Sequence, residues 1–143
     1  MRSLLSDIKF TRVSLFAVSL FLFALFGGKA FAQNKGDVFI TIAKYIQKGD
    51  TEKLSIWFAD DLELEILGDQ VRSSKTQAKY ILKEFFTAHS PKKFTILHKS
   101  GNPSMRYSIG QLQCASGEGF RIILLMRNLG SSQLLVRIRI EKE

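Results

Sequence analysis

Lys48 to Glu65 reads KGDTEKLSIWFADDLELE, and its punctuation divides the chain into a helix, a short second helix and a strand. Gly49 directly follows a helical stretch, where a glycine takes the left-handed conformation that closes a helix without a side-chain clash. Asp50 is then placed to cap a second helix, expected over Thr51–Phe58, by accepting from its free amides. Leu54, Trp57 and Phe58 give that helix one apolar side. Asp60-Asp61 marks a turn, after which Leu62, Leu64 and Ile66 alternate with Glu63, Glu65 and Leu67. A period of two with one apolar face is a half-buried strand.

On the N-terminal side, Val38, Ile42, Tyr45 and Ile46 form a single stripe on a helix expected over Asp37–Lys48. On the C-terminal side, Gly68-Asp69 reads as a tight turn into a short return strand, Gln70–Arg72. Ser74-Lys75-Thr76-Gln77 matches a capping box, in which serine and glutamine satisfy backbone amides reciprocally. The helix it opens carries Ala78, Ile81, Leu82, Phe85 and Phe86 at helical spacing and ends near His89, ahead of Pro91. Four strands follow. The first contains Phe94, Ile96 and Leu97, and Gly101-Asn102-Pro103 turns the chain. In the second, Met105, Tyr107 and Ile109 alternate, then the apolar phase slips to Leu112 and Cys114, which predicts a β-bulge at Gly110-Gln111. The third has Phe120, Ile122, Leu124 and Met126 on its inner face, with Arg121 and Arg127 outside. The fourth has Leu134, Val136, Ile138 and Ile140 inside, with Arg137 and Arg139 opposite.

The first residues carry Arg2, Lys9 and Arg12, followed by an uncharged run from Val13 to Phe26 and by Ala30-Phe31-Ala32. Charged segment, apolar segment and A-x-A in that order are a secretory signal. The run falls short of the roughly 20 residues that a bilayer span needs. Residues 1–32 are therefore expected to be removed, leaving one domain over residues 33–143, exported to the periplasm or beyond the cell, with no membrane span in the mature chain. Losing Arg2, Asp7, Lys9, Arg12 and Lys29 lowers the formal charge from +8 to about +5. That basicity is too modest for a nucleic-acid footprint. One cysteine, Cys114, forms no internal bridge and sits where a small buried hydrophobe belongs.

The order of these elements, with Gly49-Asp50 after the first helix and Ala59-Asp60-Asp61 before the first strand, resembles the nuclear transport factor 2-like superfamily. The leader and the run from Phe39 to Phe58 more narrowly resemble the domain of unknown function 4783 family, exported proteins of Bacteroidota with no assigned activity. The resemblance implies an α+β, cone-shaped, cystatin-like fold. A bent, mostly antiparallel sheet curls around the long helix, with two further helices on the N-terminal side. The first strand would lie beside the last, so that Glu63 and Glu65 face the same side as Arg137 and Arg139. Opposite charges so placed contribute about 0.2–1 kcal/mol each.

Isomerases and cyclases of this superfamily place a carboxylate base on the first strand, inside the cone. The resemblance puts Ile66 at that position and Ile42 nearest to the oxyanion-stabilising tyrosine, with Tyr45 one turn too late. Both departures argue against isomerase chemistry. His89 and His98 have no accompanying ligand pattern for a metal. Asp60 and Asp61, adjacent on an extended chain, point opposite ways. There is no glycine-rich phosphate loop. No cofactor, metal or catalytic residue is therefore expected. The reading is an exported, non-catalytic binding or interaction domain for a small apolar molecule or a protein. An open cone would be walled by Tyr45, Trp57, Ile66, Tyr107, Gln111 and Met126. The outer sheet face with Arg121, Arg137, Arg139, Glu63 and Glu65 is a charged surface or a homodimer face. The alternatives are an unrecognised cyclase- or hydrolase-type enzyme in the same pocket, and an envelope-associated structural module.

Overall fold

Asp37 turns its carboxylate back onto the amide of Phe39, 3.1 Å away, and so starts helix α1, Val38–Lys48. The computed structural model describes residues 36–143; the expected leader and the cleavage point ahead of Gln33 lie outside the described residues. Gly49, at φ 62°, closes α1 in the left-handed conformation and donates to Ile46 and Tyr45 carbonyls. Asp50 caps α2, Thr51–Ser55, through a 3.1 Å bond from the Lys53 amide. Helix α2 is shorter than expected. The chain is already extended at Phe58, because the Trp57 carbonyl accepts from the Leu135 amide at 2.7 Å and draws the backbone into the sheet.

The sheet has six strands: β1 Phe58–Ile66, β2 Asp69–Ser73, β3 Pro91–Gly101, β4 Met105–Cys114, β5 Gly119–Leu129 and β6 Ser132–Lys142. Their order is β2-β1-β6-β5-β4-β3. Every pairing is antiparallel except β1 with β6, which is parallel. Helix α3, Lys75–Ala88, starts on Ser74, whose hydroxyl accepts from the Gln77 amide at 3.2 Å, the serine half of the expected capping box. It lies against β1 and α2, while α1 packs on β3. Between helices and sheet sits one core. It contains Phe39, Ile42 and Ile46 from α1, Leu82, Phe85 and Phe86 from α3, and the inward residues of the strands. Gly36–Glu143 is one compact unit.

The strand phases correct three expectations. In β4 the buried residues are Ser108, Gly110, Leu112 and Cys114, an unbroken period of two, and its register with β5 runs without a shift. No bulge lies at Gly110-Gln111. The inward positions there are small because the Phe94 ring covers them; a Cβ on Gly110 would lie 2.2 Å from Phe94 Cζ. The irregularities of this pairing sit instead in β3, between Pro91 and Lys93 and between Ile96 and His98, the latter opposite Gly110 and Ile109. Strand β6 likewise shifts register between its pairings with Leu125 and Met126, so that Val136 is the extra residue. Leu135, Ile138 and Ile140 are consequently buried, whereas Leu134 and Val136 are turned to the outer side. Finally, Ile66 pairs with Asp69, which makes Leu67-Gly68 the two-residue turn rather than Gly68-Asp69.

The start of α1 gives a pH-dependent contribution to stability. Burial pushes the Asp37 carboxyl up, but the hydrogen bonds from Lys99 and the Phe39 amide, with Arg106 nearby, outweigh it and hold it below its ordinary value. A carboxylate depressed in the folded state stabilises above its unfolded value, near pH 4, and that contribution is lost as pH falls through the folded value. Thermal unfolding followed from pH 6 to pH 2 should therefore show a decline below about pH 4 that Asp37→Asn makes shallower. An unchanged acid slope in Asp37→Asn would remove Asp37 from the acid response.

Candidate functional site

The cone is filled for most of its depth by its own side chains. Met126, expected as a pocket wall, is fully buried, as are Leu124, Ile122 and Phe120 along the same strand. Tyr45 and Trp57 are half-buried and pack against the core from its helical side. Tyr107 and Gln111 do not face the interior at all. They pair with Leu125 and Arg121, one residue out of phase with the inward row, and so occupy the outer face. Tyr107 stands beside His98, with ring centroids 5.8 Å apart, and Gln111 donates to Glu143 at 2.5 Å. The six expected residues do not converge on one cavity.

Ile66 does reach an opening. It lines an apolar cleft of about 310 Å³ between the β1–β2 hairpin and α3, together with Leu64, Leu67, Val71, Ile81 and Phe85. Leu64, Leu67 and Val71 follow from the hairpin, and Ile81 and Phe85 lie one turn apart on α3, so both elements turn an apolar side toward the gap. Asp69 and Glu84 complete the lining, and neither forms an ion pair among the described residues. No group of three or more His, Cys, Asp or Glu side chains placed to hold a metal occurs among the described residues.

Leu67 is the unusual member. Its φ is 53°, the one positive value at a non-glycine among the described residues, and it is 50% exposed. Turns with two positive φ angles favour Asn-Gly, and a left-handed leucine costs about 1–2 kcal/mol. Its amide donates to the Ile140 carbonyl at 2.9 Å, which pins the turn to β6. Leu67→Asn is expected to raise stability by about 0.5–1 kcal/mol, read as a higher denaturant midpoint at unchanged slope. A lower midpoint would mean that the exposed side chain contributes packing that outweighs the strain.

Beyond Phe85 lies a histidine cluster. His89 has ring-centroid distances of 4.8 Å to both Phe85 and Phe120, and its Nδ1 is 3.0 Å from Glu118 Oε2. The His89 hydrogen bond, followed by that from Lys142, holds the Glu118 carboxyl below its usual range. His89 does not line the cleft, and with Glu118 it forms a clasp between the end of α3 and the β4–β5 turn. Cys114 is buried, burial raises its thiol, and its Sγ reaches the His89 carbonyl at 3.6 Å.

On the outer face the expected charge ladder is formed. Glu63 pairs with Arg137 at 2.9 Å and Glu65 lies 3.1 Å from Arg139 Nε, in parallel register across β1 and β6. The Arg139 Nε hydrogen is not aimed at that oxygen, so this contact is one of charge rather than a hydrogen bond. Arg139 also meets Glu141 at 2.9 Å. Arg137, with Gln70 and Arg72 behind it, lowers the Glu63 carboxyl. Arg121 stands in register with Gln111 and Glu141. The sequence reading found this face through its alternation; it missed the cleft, whose members come from two elements and are residue types that serve equally as core.

No curated protein matches the sequence. A crystal structure of a DUF4783 family protein from Bacteroides ovatus is similar over 71% of this chain and 92% of its own, with 24% identity and a TM-score of 0.68. A second, from Bacteroides uniformis, is similar over 71% and 94%, with 22% identity and a TM-score of 0.68. A protein of unknown function described as NTF-2 like, from Silicibacter pomeroyi, is similar over 72% and 87%, with 15% identity and a TM-score of 0.56. At these identities the likeness is one of fold, and the fold is α+β and nuclear transport factor 2-like. The family model of the domain of unknown function DUF4783 matches residues 39–141, from the first turn of α1 to the end of β6, and the chain belongs to that family.

Proposed function

We propose that this is an exported, non-catalytic binding domain whose ligand lies in the cleft between the β1–β2 hairpin and α3. The observation that carries this reading is the cleft itself: six apolar side chains line about 310 Å³ of open space at the edge of a core that is otherwise filled. That volume is in the range of small-molecule sites. An exposed leucine kept in a strained conformation at its rim supports it further, since strain of this kind concentrates at functional positions. Asp69 and Glu84, without ion-pair partners among the described residues of a basic chain, favour a ligand with an apolar body and a positively charged end. No groove-lining residue is a histidine, cysteine or lysine, and the two carboxylates lie at an open rim rather than in a water-excluding pocket, which is why the reading is of binding rather than catalysis.

Hexylamine and hexanoate, matched in chain length and opposite in charge, test the reading by calorimetry. Hexylamine is expected to bind more tightly, and Val71→Lys, a change at an already exposed position, to weaken it by about tenfold through like charge and lost apolar contact. If neither amphiphile binds, or Val71→Lys binds as the parent does, the cleft is not the seat. Export is tested separately, by N-terminal sequencing of protein from the periplasm, which should begin at Gln33.

A further inference from the structure

Each outward arginine of the sheet faces a glutamate directly across a neighbouring strand, with one exception. Arg72 and Arg137 both stand opposite Glu63, Arg139 opposite Glu65, and Arg121 opposite Glu141, although Glu141 is taken by Arg139 at 2.9 Å and Arg121 makes no ion pair among the described residues. Arg127 stands between Leu134 on β6 and Met105 on β4, and among the described residues no carboxylate lies within 4.0 Å of it. It is exposed.

The same arginine lines a trough in the outer face. Strand β1 leaves β6 after Phe58 pairs with Leu135 and rejoins it where Glu63 pairs with Arg137, so residues 59–62 stand opposite Val136 alone. A bulge of that length bends the strand away and opens the sheet. The result is a hollow of about 360 Å³ whose apolar lining is Ala59, Leu125, Leu129 and Val136. Arg72, Arg127 and Arg137 line it, with Asp61 and Glu63. Both acids are already engaged, Asp61 by Arg72 at 3.0 Å and Glu63 by Arg137 at 2.9 Å. Three guanidinium groups against two carboxylates leave one positive charge over, and of the three it is Arg127 that has no carboxylate partner among the described residues.

We propose that this trough is a second binding site, for a small molecule bearing one oxyanion group, a carboxylate or a phosphate ester, held by Arg127 with its body on Ala59, Leu125 and Val136. A guanidinium matches the two oxygens of such a group in a planar fork, and the flanking Arg72 and Arg137 add field without being free to take a second anion. The site lies on the opposite face of the sheet from the apolar cleft and stands independently of it.

The test is a titration of the folded protein with inorganic phosphate and, separately, with acetate, followed through the arginine Nε–H signals by NMR. Arg127 should shift along a saturating curve. Arg127→Gln should weaken binding at least about tenfold, as expected for a lost charge-assisted pair, and Arg127→Lys should weaken it less. Arg121→Gln, which removes another arginine of the same face outside the trough, should leave the midpoint within about twofold. Tighter phosphate than acetate would assign a phosphoryl ligand, and the reverse a carboxylate. A linear response, or equal losses in Arg121→Gln and Arg127→Gln, would reduce the effect to the diffuse field of a basic surface and overturn the proposal. A dimer by light scattering that Arg127→Gln dissociates would assign the arginine to a second copy of the chain, and overturn it equally.

Discussion

Gly110→Ala is expected to cost about 3 kcal/mol, a large share of the 5–15 kcal/mol that holds a domain of this size together. The added Cβ would lie 2.2 Å from Phe94 Cζ and within 2.9 Å of both Cε atoms, so the ring must move. Its end is the movable part, but its base is not. The Phe94 amide donates to Gln47 Oε1 of α1 at 3.0 Å, its backbone pairs with Leu112, and the side chain is 7% exposed. A displaced ring would therefore press into close-packed neighbours, which give little. The companion variant is Phe94→Leu, whose shorter side chain vacates the space over position 110. Alone it is destabilising, though by less than the 3–5 kcal/mol of a phenylalanine truncated to alanine. With Gly110→Ala in the same chain, the sum of the two single losses should exceed the double loss by 1 kcal/mol or more. Denaturant midpoints of the four proteins complete the cycle. Additive losses would mean that the ring does not cover the glycine and that Tyr107 and Gln111 owe their outward direction to something else.

That pair of residues also shows what was legible in the sequence. Local rules were. Asp50 and Ser74 each cap the helix that follows, and Gly49 closes α1, because these roles depend on residues three or four apart; Asp37, read as the helix's first residue, is its cap instead. The ladder of Glu63 and Glu65 against Arg137 and Arg139 was legible too, once the resemblance placed the first strand beside the last. Phase was not. Apolar alternation locates an inner face only where inward residues are apolar, and β4 puts Ser108 and Gly110 inside beneath an aromatic ring. Reading Tyr107 and Ile109 as inward then required a bulge in β4, whereas the sheet places its irregularities in β1, β3 and β6 and leaves β4 in step with β5. For the same reason Tyr107 and Gln111 were assigned to a pocket they turn away from.

The cleft and the trough escaped for different reasons. Ile66 entered the reading as the residue that stands where a catalytic base would, an argument about what is missing. Its neighbours Val71, Ile81 and Phe85 are residues that any core could use, and only the gap between hairpin and helix makes them a lining. Leu67 carried a signal that went unread: an apolar residue directly before Gly68, at a position where the turn favours asparagine. Arg127 carried none. A lone arginine on an outward face is unremarkable until the register shows that every comparable one has a glutamate across from it.

The cleft also shares a side chain with the core, and this sets the last expectation. Phe85 is 7% exposed, meets Phe120 edge-on at 5.2 Å and Phe86 at 5.7 Å, and presents its remaining surface to the cleft. Phe85→Ala should cost about 3–4 kcal/mol, through lost burial and the cavity left behind. Phe120→Ala should cost about as much, since Phe120 is 1% exposed and meets the same ring and His89. Phe120 does not line the cleft. The two variants are thus matched in damage to the core and differ in damage to the site. At a temperature well below both unfolding midpoints, Phe120→Ala should bind hexylamine within a few-fold of the parent, while Phe85→Ala should lose about tenfold with the wall it removes. Equal binding by the two would mean that the aromatic wall contributes nothing to the ligand. Equal loss by both would mean that binding follows the general packing of the cone rather than the cleft, and the seat would then have to be sought inside the core that these side chains fill.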